Sequence, residues 1–306
     1  MKITEKNGYK ISALTLGTAQ LGLAYGVNNS RGMPSYEESA ELLTEALSLG
    51  IVSFDTARAY GTSEAVLGRY FRENKCEKTL ITKALFKEET VAEVRDSLLW
   101  QTEDSIKTLG VDKLPFLKLH NDSYIKTYGE TLLLALSELK ERGLVANVGM
   151  SFSDKTHLAE YASSGAFDCI QLPANMFDNY EIRTGIIKKL SDMGVTVFVR
   201  SVYLQGLFFK NTDELPEKIR SAKRPLDRLH ALARDNGISM AEMAFCFMRD
   251  TEGIDSLVLG ADTPAQLRES ASLASAATLP RSLLDKILEI SEEIEPVTVR
   301  PWEWFK

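Results

Sequence analysis

Short apolar runs alternate along this chain with longer segments that carry polar residues on one side and apolar residues on the other. Before the alternation begins, Asn7-Gly8 lies between Lys2 to Thr4 and Tyr9 to Ser12. It is the favoured two-residue hairpin turn, because both positions tolerate positive φ. Ala13 to Gly17 reads as a strand, followed by a glycine- and asparagine-rich loop over 20–34 and a helix over 36–48. Further strands are expected at 51–55, 79–83, 114–119, 144–149, 168–172, 195–199 and 255–259. Helices are expected at 63–73, 90–108, 129–142, 154–163, 181–193, 225–236, 239–249 and 264–276, with a long loop over 203–224 and an extra helix at 281–293.

Eight strands alternating with helices in 306 residues predict a parallel (β/α)8 TIM barrel with an N-terminal β-hairpin and extra C-terminal helices. A doubly wound sheet usually has fewer strands and a glycine fingerprint after the first. Neither GxGxxG nor GxxxxGK[ST] occurs, and no linker rich in Pro, Gly or Ser divides the chain. Residues 1–306 are therefore expected to form one domain.

Composition narrows the function. A net charge of -7 argues against nucleic-acid binding through a general basic surface. Cys76, Cys169 and Cys246 are widely spaced and outside any CxxC arrangement, which fits reduced thiols and a cytoplasmic location. No stretch approaches the ~18 apolar residues of a membrane span. With His120, His157 and His230 unpaired in sequence, metal-free chemistry is expected.

Functional side chains of parallel barrels gather at the carboxyl ends of the strands. Asp55 ends the second barrel strand, Lys83 the third and His120 the fourth, and Tyr60 lies in the loop after the second. A phenol is a poor acid at neutral pH, with a reference pKa near 10. An ammonium within ~4 to 6 Å favours its phenolate, and a carboxylate would keep that ammonium charged and oriented. These are the roles expected of Tyr60, Lys83 and Asp55. A depression of about two units would amount to roughly 2.7 kcal/mol. The neutral imidazole of His120 would orient a carbonyl. Singly, the same residues also fit a rim ion pair, a loop tyrosine and a satisfied core histidine; four at matching strand ends favour chemistry.

At these residues the sequence resembles the aldo-keto reductase family. Asp55-Thr-Ala-x-x-Tyr60-Gly61-x-Ser63-Glu64, followed by Leu67-Gly68, is similar to its opening signature, and Ile81-Thr82-Lys83 and Leu119-His120 are similar to its later catalytic strands. The resemblance runs from Leu14 to Glu269. It implies a nicotinamide cofactor, a small carbonyl substrate, Tyr60 as proton donor, and support from Asp55, Lys83 and His120. Gly149-Met150-Ser151 and Gln171 with Asn175 resemble the stretches that hold the nicotinamide carboxamide, implying that role for Ser151 and Gln171. Gln205-Gly206-Leu207 resembles the phosphate loop, and Gly260 with Gln266-Leu267-x-Glu269 resembles the adenosine segment. Gly17, Thr18 and Ser201 are implied at the cofactor as well. Gly17-Thr-Ala-Gln20 and Tyr25-Gly-Val-Asn28 resemble a subset of the family with no substrate attached to it.

Two positions depart from the family pattern. Phe152 stands where an Asn is frequent, removing an amide contact to the cofactor. Arg200 stands where an aromatic ring usually stacks, and a guanidinium there suits a pyrophosphate, phosphate or carboxylate. Arg200 is thus expected to bind cofactor or an anionic substrate. Asp262 is the wrong charge for the 2′-phosphate of NADP and suits the ribose hydroxyls of NAD. NAD is favoured, with Arg268 the nearby cation that would serve NADP.

By strand alternation Lys118 points into the barrel below His120, either reinforcing the charge at the site or pairing with a group such as Ser53 or Asn147. Arg58 and Trp302 are the substrate-binding expectations, from the catalytic loop and the aromatic tail. The rival readings are a cofactor-binding sensor or regulatory subunit with little turnover, and an unrelated barrel lyase or isomerase. Oligomeric state is left open.

Overall fold

The computed structural model describes residues 1–24, 32–153 and 155–305. The Tyr25 to Asn28 resemblance lies outside the described residues. Strands β1 (Ile3–Lys6) and β2 (Tyr9–Ser12) pair antiparallel around Asn7 and Gly8, whose φ values of 48° and 79° are those the expected turn requires. β3 (Leu14–Gly17), β4 (Ser53–Asp55), β5 (Thr79–Ala84), β6 (Leu114–Leu119), β7 (Val145–Ser151), β8 (Cys169–Pro173), β9 (Thr196–Arg200) and β10 (Ser256–Gly260) then close a parallel barrel in chain order, with β10 against β3. The (β/α)8 barrel with an N-terminal hairpin is therefore the observed fold. The helices Tyr36–Ser48 and Ser63–Glu73 stand as expected, and Ser35 caps the first with a capping box to Glu38.

Differences from the expected helices have local causes. The helix expected at 129 begins at Ser123; Gly129, with φ 54° and ψ −136°, interrupts it instead of starting it. The 181–193 helix is two pieces, Tyr180–Arg183 and Ile186–Asp192, separated by Gly185 at φ 73°. The long loop after β9 contains 3-10 turns, beginning with Leu204–Phe209. The extra helix is Arg281–Ser291, and the tail carries the short turns Pro296–Val299 and Pro301–Glu303.

The barrel interior is layered. The hairpin plugs the amino end, where the Asn7 amide donates to the carbonyls of Asp168 and Gly194 and to the Thr196 hydroxyl. A network of buried hydroxyls from Ser12, Thr15, Ser53 and Ser256 sits above it. Ile11, Ile81, Phe116, Cys169, Phe198 and Val258 form a dry cluster inside the barrel. At the carboxyl end the register sets Lys83 beside Lys118 and Ser151 beside Gln171.

Candidate active site

Asp55 is the last residue of β4, and its carboxylate is shared between two buried lysines. Lys83 Nζ donates to Oδ1, and Lys118 Nζ donates to Oδ2 at 2.6 Å. Burial alone would raise the Asp55 carboxyl, but the Lys118 and Lys83 ammonium groups outweigh it and hold the carboxyl below its ordinary value. Lys83 also donates to the Thr56 carbonyl at 2.8 Å and lies 3.5 Å from the Tyr60 hydroxyl. The Tyr60 ring meets His120 edge-on, with centroids 5.6 Å apart. The structure therefore brings together all four residues expected at the strand ends.

The expected depression of the Tyr60 phenol is not found. Burial first, then the Asp55 carboxylate, push it well above the ordinary value, against a lowering pull from Arg200. The Lys83 charge is spent on Asp55, and burial has already lowered the Lys83 ammonium itself. His120 follows the expectation of a neutral imidazole: burial, then Lys83, lower it to about 4. Its Nδ1 is buried with no hydrogen-bond partner among the described residues. An N–H there would be a stranded donor, which favours the tautomer with the proton on Nε2.

The loop that carries Tyr60 is held by a close backbone approach. A Cβ on Gly22 would lie 1.9 Å from the Tyr60 carbonyl oxygen and 2.4 Å from the Ser63 nitrogen. A Cβ on Gly61, at φ 53°, would lie 2.2 Å from the Gly22 oxygen. Below it the Ser63 hydroxyl donates to the Thr18 carbonyl, and the Thr18 hydroxyl donates to the Asp55 carbonyl. Gly22→Ala is expected to displace Tyr60, lowering kcat at least tenfold and the melting temperature by several degrees, as overpacking of about 1–3 kcal/mol would do. Unchanged values of both would show that the loop does not depend on this contact.

Other expected residues divide between two cavities. Arg200, the last residue of β9, lines a cavity of about 990 Å3 at the mouth together with Ser201, Gln205 and Trp302. Arg200 donates to the Phe152 carbonyl at 3.1 Å, and Phe152 itself is fully buried. Ser201, Leu204, Gln205 and Gly206 all adopt left-handed φ between 45° and 84°, a run of sparsely populated backbone beside the cavity. Asp262 borders a second cavity, of about 120 Å3, whose lining includes Glu38, Glu41 and Gln20. Gln266 accepts from the Asp262 backbone N–H at 2.7 Å. Glu269 acts on the same region as the β9 loop, because burial and then its carboxylate raise the Tyr203 phenol. Gly17 and Gly260 are register partners, and a Cβ on Gly260 would meet the Gln20 amide at 2.6 Å.

Two expectations change and one alternative is decided. Arg58 does not face the mouth: its guanidinium is bonded to Asp104 at 2.8 Å and Ser105 at 3.3 Å, and lies over the Trp100 ring. Thr18 stands behind the site, with its hydroxyl committed to Asp55 and Ser63. Of the two alternatives for Lys118, the structure shows the one at the site: it pairs with Asp55 and Gln171, not with Ser53 or Asn147. At the cavity rim a further group escaped the sequence reading: Lys155 Nζ bridges Asp178 at 2.5 Å and Glu181 at 2.6 Å. These residues come from separate segments with no shared motif.

The structure thus gathers an acid, an ammonium, a phenol and an imidazole at the mouth of a parallel eight-stranded barrel, and the comparisons with known proteins supply the class. The profile of the Aldo/keto reductase family matches residues 13–292, and the chain belongs to that family. This makes it an oxidoreductase of the class that reduces carbonyls with NAD(P)H. An "Aldo-keto reductase" of Gibberella moniliformis (strain M3125 / FGSC 7600) is 25% identical over 188 residues, 59% of this chain and 56% of that one, so the match spans little more than half of that relative. The L-glyceraldehyde 3-phosphate reductase of Escherichia coli O157:H7 is 23% identical, with 97% of this chain and 93% of that one covered. The holo form of aldo-keto reductase AKR11C1 from Bacillus halodurans shares the fold at a TM-score of 0.75, with 20% identity over 95% of this chain and 96% of that one. Among the described residues, no helix is long and apolar enough to cross a membrane and no cluster of His, Cys, Asp or Glu could hold a metal ion.

Proposed function

We propose that this chain reduces a small, anionic carbonyl compound, with Tyr60 as the proton donor and NADH as the preferred reductant. The observation that carries the reading is the Tyr60 hydroxyl 3.5 Å from a lysine that is itself fixed by Asp55. The residues present fit a nicotinamide cofactor: Ser151 and Gln171 are neighbours in register, and the left-handed turn at Ser201 to Gly206 lines the mouth cavity beside Arg200. When bound, the cofactor supplies the hydride. Tyr60 gives its phenolic proton to the carbonyl oxygen, and Lys83 stabilises the phenolate left behind. His120, neutral across the physiological range, donates its Nε2–H to the same oxygen and sets the approach of the carbonyl. Arg200 and Lys126, both lining the mouth cavity, provide positive charge for a phosphate or carboxylate on the substrate. The unpaired cysteines fit the reducing cytoplasm.

Preference for NADH is supported at the second cavity. Glu38, Glu41 and Asp262 put three carboxylates around it, and among the described residues that line it there is no lysine or arginine. Arg268, the cation that would serve a 2′-phosphate, is paired with Glu45 at 3.1 Å. Separate titrations with NADH and NADPH, followed by fluorescence and calorimetry at one salt concentration, are expected to give at least tenfold tighter binding of NADH. Tighter NADPH binding would overturn the preference and leave the reductase reading in place. Turnover is then tested with glyceraldehyde and glyceraldehyde 3-phosphate, and the phosphorylated compound is expected to have the higher kcat/KM. The fully buried Phe152 ring, which offers no amide, favours as second reading a sensor that binds cofactor without multiple turnover. Steady turnover of either compound rejects it.

A further inference from the structure

Lys118 is fully buried, and each direction around its ammonium is accounted for. Nζ donates to Asp55 Oδ2 at 2.6 Å and to Gln171 Oε1 at 3.0 Å, and it stands 4.7 Å from the centre of the Phe198 ring. An ammonium has donors and no acceptor, so the Gln171 atom facing it must be the carbonyl oxygen. Turning the amide over would set two donors against each other in a water-free interior, which is costly. Nε2 is therefore fixed as the end of the amide turned away from Nζ. The second consequence is electrostatic. Two ammonium groups on one carboxylate leave one uncompensated positive charge beneath the mouth, whereas Lys83 and Asp55 alone would cancel.

We propose that Lys118 is a positioning residue that joins the Tyr60 proton-donor group to the cofactor-binding amide of Gln171, fixing the direction of the Gln171 N–H and supplying the net charge that favours the Tyr60 phenolate. The proposal rests on the reading of Tyr60 as acid and Gln171 as the residue that meets the nicotinamide carboxamide. It assigns the outward Nε2–H to an acceptor, the carboxamide oxygen, and it separates two properties that different replacements can remove. Methionine is close to lysine in size, removes both the charge and the donor, and leaves Asp55 paired with Lys83. Glutamine removes the charge but keeps an N–H able to meet Gln171 Oε1.

The test measures NADH dissociation constants by fluorescence titration, and kcat with whichever glyceraldehyde compound is reduced faster. Lys118→Met is expected to weaken NADH binding about tenfold, one hydrogen bond's worth, and to lower kcat at least tenfold. Lys118→Gln is expected to recover NADH binding to within about threefold of the native protein while kcat stays low. In a Gln171→Leu background, Lys118→Met is expected to change NADH binding no further, since the amide through which it acts is gone. The inference is overturned if Lys118→Met leaves both quantities within twofold of the native protein, or if its effect on NADH binding persists in the Gln171→Leu background. Should the methionine variant fail to fold, Lys118→Gln decides: unchanged kcat overturns the inference. A native protein that binds NADH and turns over while the variants behave otherwise than expected refutes the Lys118 role alone. A native protein that binds neither NADH nor NADPH refutes the functional reading, and the inference with it.

Discussion

Tyr60→Phe is expected to lower turnover by about 10² to 10⁴-fold, the range for loss of a positioned general acid, while NADH affinity stays within twofold. The substitution removes one oxygen and leaves the ring in its edge-on contact with His120 and beside Lys83. Folding and cofactor binding should therefore survive. The native protein carries a matching pH signature. Because the phenol is raised above its ordinary value, Tyr60 stays protonated through the neutral range and can act as acid there. The rate of carbonyl reduction is expected to be flat from about pH 6 to 7 and to fall above that as Lys118, lowered by burial to about 8, gives up its charge, with His120 contributing no step because its transition falls near pH 4. The reverse reaction needs the phenolate, so alcohol oxidation is expected to rise about tenfold per pH unit over the same interval. A phenylalanine variant that keeps more than a tenth of native turnover, or an oxidation rate that levels off below pH 7, would remove Tyr60 from its role.

Lys83→Met is expected to cost at least 10²-fold in kcat with a much smaller loss of stability than the burial of the site suggests. Removing one partner from a buried ion pair usually strands the other charge, at about 3–5 kcal/mol. Here Asp55 keeps the Lys118 ammonium at 2.6 Å, so the carboxylate is still compensated. What disappears is the only ammonium within hydrogen-bond reach of the Tyr60 hydroxyl among the described residues. With Asp55 still raising the phenol and no ammonium within hydrogen-bond reach to receive the phenolate charge, proton release becomes harder. Thermal unfolding and kcat measured on the same preparation separate the effects. A collapse of the fold would show that Lys118 cannot hold Asp55 alone, and kcat within threefold of native would show that Lys83 does not act on Tyr60.

The positions of Asp55, Lys83 and His120 were legible because each follows a short apolar run, and strand ends need only local pattern to place them. Their energetics were not. The rise of the Tyr60 phenol depends on how deeply the loop is covered and on how Asp55 divides its charge, both tertiary facts. Strand alternation gave the direction of Lys118 but not its partners, since Gln171 lies 53 positions away on β8. Arg58 misled for the converse reason. It neighbours the catalytic loop in sequence, but Asp104 and Trp100, on the helix Val94–Leu109, draw its guanidinium away. Gly129 and Gly185 were invisible as helix breaks because a glycine within an amphipathic segment marks a start, a stop or an interruption alike.

The hairpin also constrains the order in which the chain can acquire its structure. Asn7 reaches groups 161 to 189 positions further along, and β10 meets β3 across 241 or more positions, as in the hydroxyl contact of Thr15 with Ser256. A nascent chain emerges from its amino end. The plug is thus made long before the walls it seals, and the first barrel strand waits with one edge unpaired until the last is complete. That edge is exposed throughout synthesis, when strand pairing between neighbouring molecules competes with closure. The amino-terminal segment is consequently the place where slow synthesis or crowding of unfinished chains would do most harm to the yield of native protein.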